Sequence, residues 1–260
     1  MRSLAGRLRT TATGRLRSHR ARRKTLPVIA TRKGDISMAH NAADARFWDR
    51  IARKYAADRI KDMDGYARTV DRTRHYLRGT DTVLELGCGT GTTALKLAPH
   101  VSRIVAIDFS GEMIAIAREK AAAQACGNAE FAVATPERAA WPDGSFDAVL
   151  AFNLWHLVAD RTSALAHVHR VLKPGCLFVS KTPCLAEMNP LIRLALPVMR
   201  LVGKAPYTAI FSATALEREI EAAGFMIIER ARHGSGRKDT RIFIVARKSG
   251  NLDENGRSAG

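Results

Sequence analysis

The chain has 260 residues, 46% of them hydrophobic and 26% charged, a length and balance that admit one large domain or two small ones and exclude collagen, coiled coil and wholesale disorder. The formal net charge of +17 is unevenly spread: residues 1–37 hold 11 of the 42 Lys and Arg and a single acid, Asp35, so the remaining domain is only moderately basic and its charge alone does not argue for nucleic acid. No run of 18 apolar residues is present, and the four scattered cysteines (Cys88, Cys126, Cys176, Cys184) show neither CxxC nor metal-ligand spacing. No membrane-spanning helix, disulfide framework or metal site is therefore expected, and a reducing, cytoplasmic compartment is.

In chain order, residues 1–37 are rich in Arg, Ser, Thr, Ala and Gly with little apolar mass, so a disordered basic tail is expected. Three readings of it stay open: an organelle transit peptide, a start site assigned upstream of a true start at Met38, or contact with nucleic acid or anionic lipid. From Ala42 to about Leu77 the pattern is helical, with Phe47, Trp48, Ile51, Ala52 and Tyr55 on one face. Strands are predicted over Thr82–Leu86, Arg103–Asp108, Glu130–Ala134, Phe146–Phe152, Cys176–Ser180, Met226–Arg230 and Ile242–Ala246. Several are continuously apolar, as in a parallel sheet covered on both faces. Between them, Ser110 is expected to cap a helix running to about Cys126 and stopping at Gly127. Thr214 and Glu217 read as a capping box on another that stops at Gly224. Lys173-Pro174-Gly175 reads as a turn into the fifth strand. Residues 251–260 are expected to form a second disordered tail. This rhythm predicts a doubly wound α/β domain over residues 38–250, with ligands at the carboxyl ends of the strands.

The strongest local signal is Val83-Leu84-Glu85-Leu86-Gly87-Cys88-Gly89-Thr90-Gly91-Thr92, an apolar strand running into three alternate glycines and then a helix. Glycine is needed where backbone turns sharply and approaches a ligand closely. A dinucleotide site would want G-x-G-x-x-G, yet Thr92 stands where the third glycine should be. Glu85 also sets a carboxylate beneath the loop, awkward beside a pyrophosphate and useful beside a cation. Asp108 closes the next strand, where it can accept hydrogen bonds from both hydroxyls of a ribose or complement the dipole of the following helix.

With LELGCGTGTTALKLA, VAIDFSGEMIAIAREK, WPDGSFDAVLAFNLWHLV and HRVLKPGCLFVSK in that order, the chain resembles the class I S-adenosylmethionine-dependent methyltransferases from about Arg46 to Lys248. FWDRIARKY resembles the helix preceding the core in their quinone and small-molecule branch. The resemblance implies a Rossmann-like seven-stranded sheet of order 3-2-1-4-5-7-6 with the last strand antiparallel. It also implies S-adenosyl-L-methionine as cofactor. Gly87, Cys88, Gly89 and Gly91 would wrap its methionine portion, Glu85 would lie near its ammonium, Asp108 would hold its ribose, and Met113 would pack on its adenine or serve only as core. Tyr55 would reach the cofactor from the preceding helix. Where relatives often read G-D-A-E, this chain has Ala134-Thr135-Pro136-Glu137. Thr135 keeps a hydroxyl and Pro136 has no N–H to give, so adenine recognition is expected to differ in detail. Asn153 and His156 follow the fourth strand near the transferred methyl, His156 as a general base or as a histidine packed beneath the loop.

The segment of about 183–212 is longer than a simple connection and strongly apolar, with Pro197 inside it and Arg193 and Arg200 seven apart. It reads as a helical lid over an acceptor pocket, as a shallow membrane contact with its arginines near anionic headgroups, or as a helical hairpin completing the core or a dimer contact. The leading expectation is methyl transfer by in-line displacement to a small, apolar or amphiphilic acceptor. RNA methylation and a non-catalytic cofactor-binding scaffold remain as alternatives. Against RNA, FNLW stands where base-amino methyltransferases carry N/D-P-P-Y/F.

Overall fold

The computed structural model describes residues 37–135, 141–236 and 238–249. Pro136 and the expected tails, apart from Ser37, lie outside the described residues. The strands are β1 (Thr82–Leu86), β2 (Arg103–Asp108), β3 (Ala129–Val133), β4 (Phe146–Phe152), β5 (Leu172–Pro183), β6 (Phe225–Ala231) and β7 (Arg241–Lys248). They form one sheet of order β3-β2-β1-β4-β5-β7-β6, with β7 antiparallel to both neighbours and the other pairings parallel. The predicted fold class, strand order and antiparallel last strand are all found.

Both faces of the sheet are covered, which is why the central strands are continuously apolar. The pleat sends Val83 and Ala106 into one core with α3 (Thr92–Leu97) and α4 (Gly111–Ala123). It sends Leu84, Leu86 and Ile107 into the other, with α5 (Arg161–Val171) and α7 (Ala213–Ala222). Trp155, Phe146 and Phe178 anchor the second core, fully buried, each contributing about 1.5–3 kcal/mol through burial.

Three local expectations need correction. The long N-terminal helix is two: α1 (Ser37–Ala57) and α2 (Met63–His75). The break falls where the Asp62 side chain takes the Gly65 N–H at 2.9 Å and starts a new helix. The last predicted helix is capped by Ser212, whose hydroxyl accepts from Ala215 N–H at 3.2 Å. Thr214 is thus already helical, and Glu217 pairs instead with Arg230 at 2.7 Å. Finally, α4 ends at Ala123 rather than near Cys126, because Ala125 turns to φ +49°. The Ser110 cap is as predicted, accepting from Met113 N–H, and so is the stop at Gly224, at φ +89°. The Lys173-Pro174-Gly175 turn forms an excursion inside β5, since Leu172 pairs with Phe146 and pairing resumes at Leu177 with Ala148.

Within the 183–212 segment, α6 (Pro190–Leu201) contains Pro197 and buries none of its residues. Leu191, Leu194, Val198, Leu201 and Val202 recur at helical spacing along its outer side, each at least 60% exposed. The two arginines turn the other way. Arg193 donates to the Ala186 carbonyl at 3.3 Å, and Arg200 lies over the Tyr207 ring, 4.9 Å from its centroid. Among the described residues no helix is long and apolar enough to cross a membrane.

Candidate functional site

A crevice of about 380 Å³ opens at the carboxyl ends of β1, β2, β4 and β5, the edge at which doubly wound sheets bind ligands. Its floor is the glycine loop. Gly89 (φ +52°) is in the left-handed region, and a Cβ built on it meets nothing within 4 Å, so bare backbone faces open space there. Gly91 (φ +73°) serves a different purpose: a Cβ would stand 2.7 Å from Phe131 and 2.8 Å from Ala117. It permits close packing of the loop on α4 and β3 and is not among the lining residues. Gly87 and Cys88 do line the crevice, with Cys88 N–H held by the Ile107 carbonyl at 2.9 Å.

Two carboxylates stand on the β1–β2 side. Glu85 is 2% exposed and its Oε2 has no hydrogen-bond partner among the described residues. Burial pushes its carboxyl up to about 8, the Asp108 charge adds to this, and the Ala94 amide offsets it only in part. Asp108 accepts from Gly89 N–H and from Ser110 N–H, both at 2.9 Å, one on each oxygen. Asp108 thus fixes the loop and the start of α4, and it also lines the crevice with lone pairs to spare. Burial raises its pKa, against which the amides of Ser110, Gly89 and Phe109 work.

The remaining predicted residues divide. Tyr55, half-exposed, and Met113, buried against Ala52 and Ile116, both line the crevice. Asn153 lines it from the loop after β4, in the left-handed region at φ +52°, its N–H donating to the Lys181 carbonyl at 2.6 Å. His156 and Thr135 are not among the lining residues. The His156 ring lies 3.2 Å from Thr182 Oγ1, and burial pushes its pKa down to about 4. Thr135 Oγ1 is buried without a partner among the described residues.

Sequence reasoning missed the outer wall. The 58–62 link between α1 and α2 contributes Asp58, Arg59, Ile60 and Asp62, and no residue of 184–212 lines the crevice. Asp62 ties this link to the β6–β7 loop, accepting from Ser235 N–H at 2.9 Å and Ser235 Oγ at 2.8 Å. These bonds hold its carboxyl below the usual range. The missed signal was Asp62 with Gly65 three residues on, a helix-start pattern in mid-helix. Lys181, at the carboxyl end of β5, and Thr69 of α2 also line the crevice. A lysine at that end of an apolar parallel strand was the clue to it. Among the described residues no three His, Cys, Asp or Glu side chains converge to hold a metal.

Residues 83–175 match the family model described as a methyltransferase domain. The chain is 42% identical over 102 residues to the ubiquinone/menaquinone biosynthesis C-methyltransferase UbiE of Citrifermentans bemidjiense, covering 37% of this chain and 43% of that protein. It is 33% identical over 147 residues to the uncharacterized methyltransferase YcgJ of Bacillus subtilis, covering 54% and 58%. The chain thus spans about half the length of these curated relatives. The crystal structure of YcgJ superposes with a TM-score of 0.59 at 20% identity, covering 70% of this chain and 99% of that one. That of geranyl diphosphate C-methyltransferase from Streptomyces coelicolor gives 0.59 at 13% identity, covering 70% and 79%. Strand order, glycine loop and the acid ending β2 define the class: the chain has the class I S-adenosylmethionine-dependent methyltransferase fold.

Proposed function

We propose that the protein transfers a methyl group from S-adenosylmethionine, by in-line displacement, to a small, apolar or amphiphilic acceptor such as a quinone precursor. The observation that carries this reading is Glu85: a buried carboxyl with an oxygen lacking a partner, beside a crevice floored by bare backbone, suits a cationic ligand. Asp108 retains acceptor capacity for two ribose hydroxyls, and Gly89 leaves room for the ligand to lie on the chain. S-adenosylmethionine supplies a methyl group already activated on a positively charged sulfur. The protein's share is then to hold the acceptor in near-attack geometry and keep water out, tasks that fit the 58–62 link and Asn153. His156, bonded to Thr182 and held neutral, fits a packing role better than that of a base.

Calorimetry with S-adenosylhomocysteine and, separately, NAD tests the donor. Binding of the former alone is expected, with Asp108→Ala lowering its affinity about a hundredfold or more as two bonds to a charged acceptor vanish. Stabilisation by NAD alone would overturn the reading. Turnover is tested by mass spectrometry of lipid extract incubated with protein and isotope-labelled S-adenosylmethionine. Donor binding with no labelled product would favour a non-catalytic scaffold.

The outer side of α6 supports a peripheral contact with lipid, from which an apolar acceptor would be collected. Its arginines face the protein, so this contact rests on leucine and valine rather than on charge. Wild-type protein is expected to co-sediment with neutral phosphatidylcholine vesicles. The pair Leu194→Asp and Leu201→Asp should lower the vesicle partition coefficient about a hundredfold or more, since each exposed leucine contributes on the order of 1.5–3 kcal/mol when buried. Absence of wild-type binding would dispose of the idea.

A further inference from the structure

The crevice wall carries charges of both signs. Glu85 and Asp108 stand on the β1–β2 side, Asp58 and Asp62 in the 58–62 link, and Lys181 at the end of β5. Lys181 is 7% exposed. Its ammonium donates to Thr69 Oγ1 at 2.8 Å, and that hydroxyl in turn donates to the Gly65 carbonyl at 2.8 Å. No carboxylate lies within salt-bridge distance of it among the described residues. The neighbouring cation is already compensated: Arg241 is held by Asp239 at 3.1 Å and Asp62 at 3.7 Å. Arg59, also in the wall, is exposed to water at the rim. Lys181 is therefore the one buried cation of the wall, among the described residues, with only a neutral partner.

A buried ammonium with one neutral partner is unfavourable, and its three donors call for acceptors. Burial accordingly lowers the Lys181 pKa, although Asp239 and Asp62 act the other way and Arg241 and Arg68 reinforce it. Its main chain is fixed at the β4–β5 end of the crevice, since its carbonyl takes the Asn153 N–H and it pairs with Phe152 across the sheet. We propose that Lys181, with Thr69 holding it in place, forms an acceptor-side subsite for an oxygen anion, so that the acceptor is an apolar molecule carrying a carboxylate or an ionised phenol or enol. This rests on the methyl-transfer reading for the word acceptor, but the anion site itself does not depend on it. An anion there meets the unpaired ammonium, while Glu85 and Asp108 stay free for a cationic donor.

The test uses matched probes and full-length protein, titrated by calorimetry with and without saturating S-adenosylhomocysteine. One arm compares naphthoate with naphthamide, the other para-nitrophenolate with para-nitroanisole. In at least one arm the anion is expected to bind about tenfold tighter than its neutral counterpart, the worth of one hydrogen bond to a charged group. The arm that shows the preference tells carboxylate from phenolate. Lys181→Met should abolish it and Lys181→Arg should retain it, while thermal unfolding checks that both variants are folded. Equal binding of anion and neutral probe in both arms, or a preference that survives Lys181→Met, overturns the proposal. Failure of S-adenosylhomocysteine to bind would sink the donor reading instead, and the titrations without it still decide the anion site.

Discussion

Glu85→Gln is expected to stabilise the free protein by about 3 kcal/mol at pH 7, and the gain should depend on pH in a defined way. The Glu85 carboxyl is raised from 4.5 to about 8 in the folded chain. A raised acid costs nothing below its unfolded pKa. The penalty grows between 4.5 and 8 and is constant above, at about 1.4 kcal/mol per unit. Glutamine removes it, so the melting temperatures of the two proteins should coincide near pH 4 and separate by on the order of 10 °C by pH 8. Ligand binding should move the opposite way. At neutral pH the wild-type carboxyl must lose its proton to meet a cation, so affinity for S-adenosylhomocysteine, which carries the ammonium, should climb about tenfold per pH unit towards 8. In Glu85→Gln the affinity should be lower and flat. Calorimetry in buffers of different ionisation enthalpy would detect the proton released. A wild-type affinity that is flat with pH, or a variant no more stable at pH 8, would show that Glu85 is ionised in the free protein.

The second large effect separates two glycines that look alike in the sequence. Gly91→Ala must fit a methyl group against Phe131 and Ala117 while holding φ at +73°. Strain of about 1–2 kcal/mol and overpacking of about 1–3 kcal/mol add, so a loss of roughly 2–5 kcal/mol is expected in denaturant unfolding. Gly89→Ala pays only the backbone strain, about 1–2 kcal/mol, because its methyl enters open space. It should stay folded and lose donor binding about tenfold or more, since that space is where the ligand would lie. If Gly89→Ala binds the donor like wild type, or Gly91→Ala unfolds like wild type, the division of labour assigned to the loop is wrong.

What the sequence disclosed, and what it hid, follows from the range of the interactions. The glycine loop, Asp108 and the Ser110 cap are local patterns, and each was readable from a dozen residues or fewer. The order β5-β7-β6 was legible only through the family resemblance, since nothing in Met226–Arg230 or Ile242–Ala246 says which inserts beside β5. The Lys181–Thr69 contact joins residues 112 apart, and the Asp62–Ser235 tie joins residues 173 apart. Periodicity cannot express such pairings. The 58–62 wall was hidden for a related reason: it is a short polar link whose position is set by the Asp62 cap and by the distant β6–β7 loop. Thr214 misled because Ser212 competes two residues earlier, and serine is the somewhat better cap.

The placement of β7 has a consequence for how the chain is made. β6 pairs only with β7, so when β6 leaves the ribosome it has no neighbour to join, and the flank of β5 stays bare until Arg241–Lys248 follows. An unpaired flank of that kind recruits other chains. Nascent molecules halted anywhere before the final strand would thus be prone to clump and would lack a finished crevice, however much of the domain they already contained.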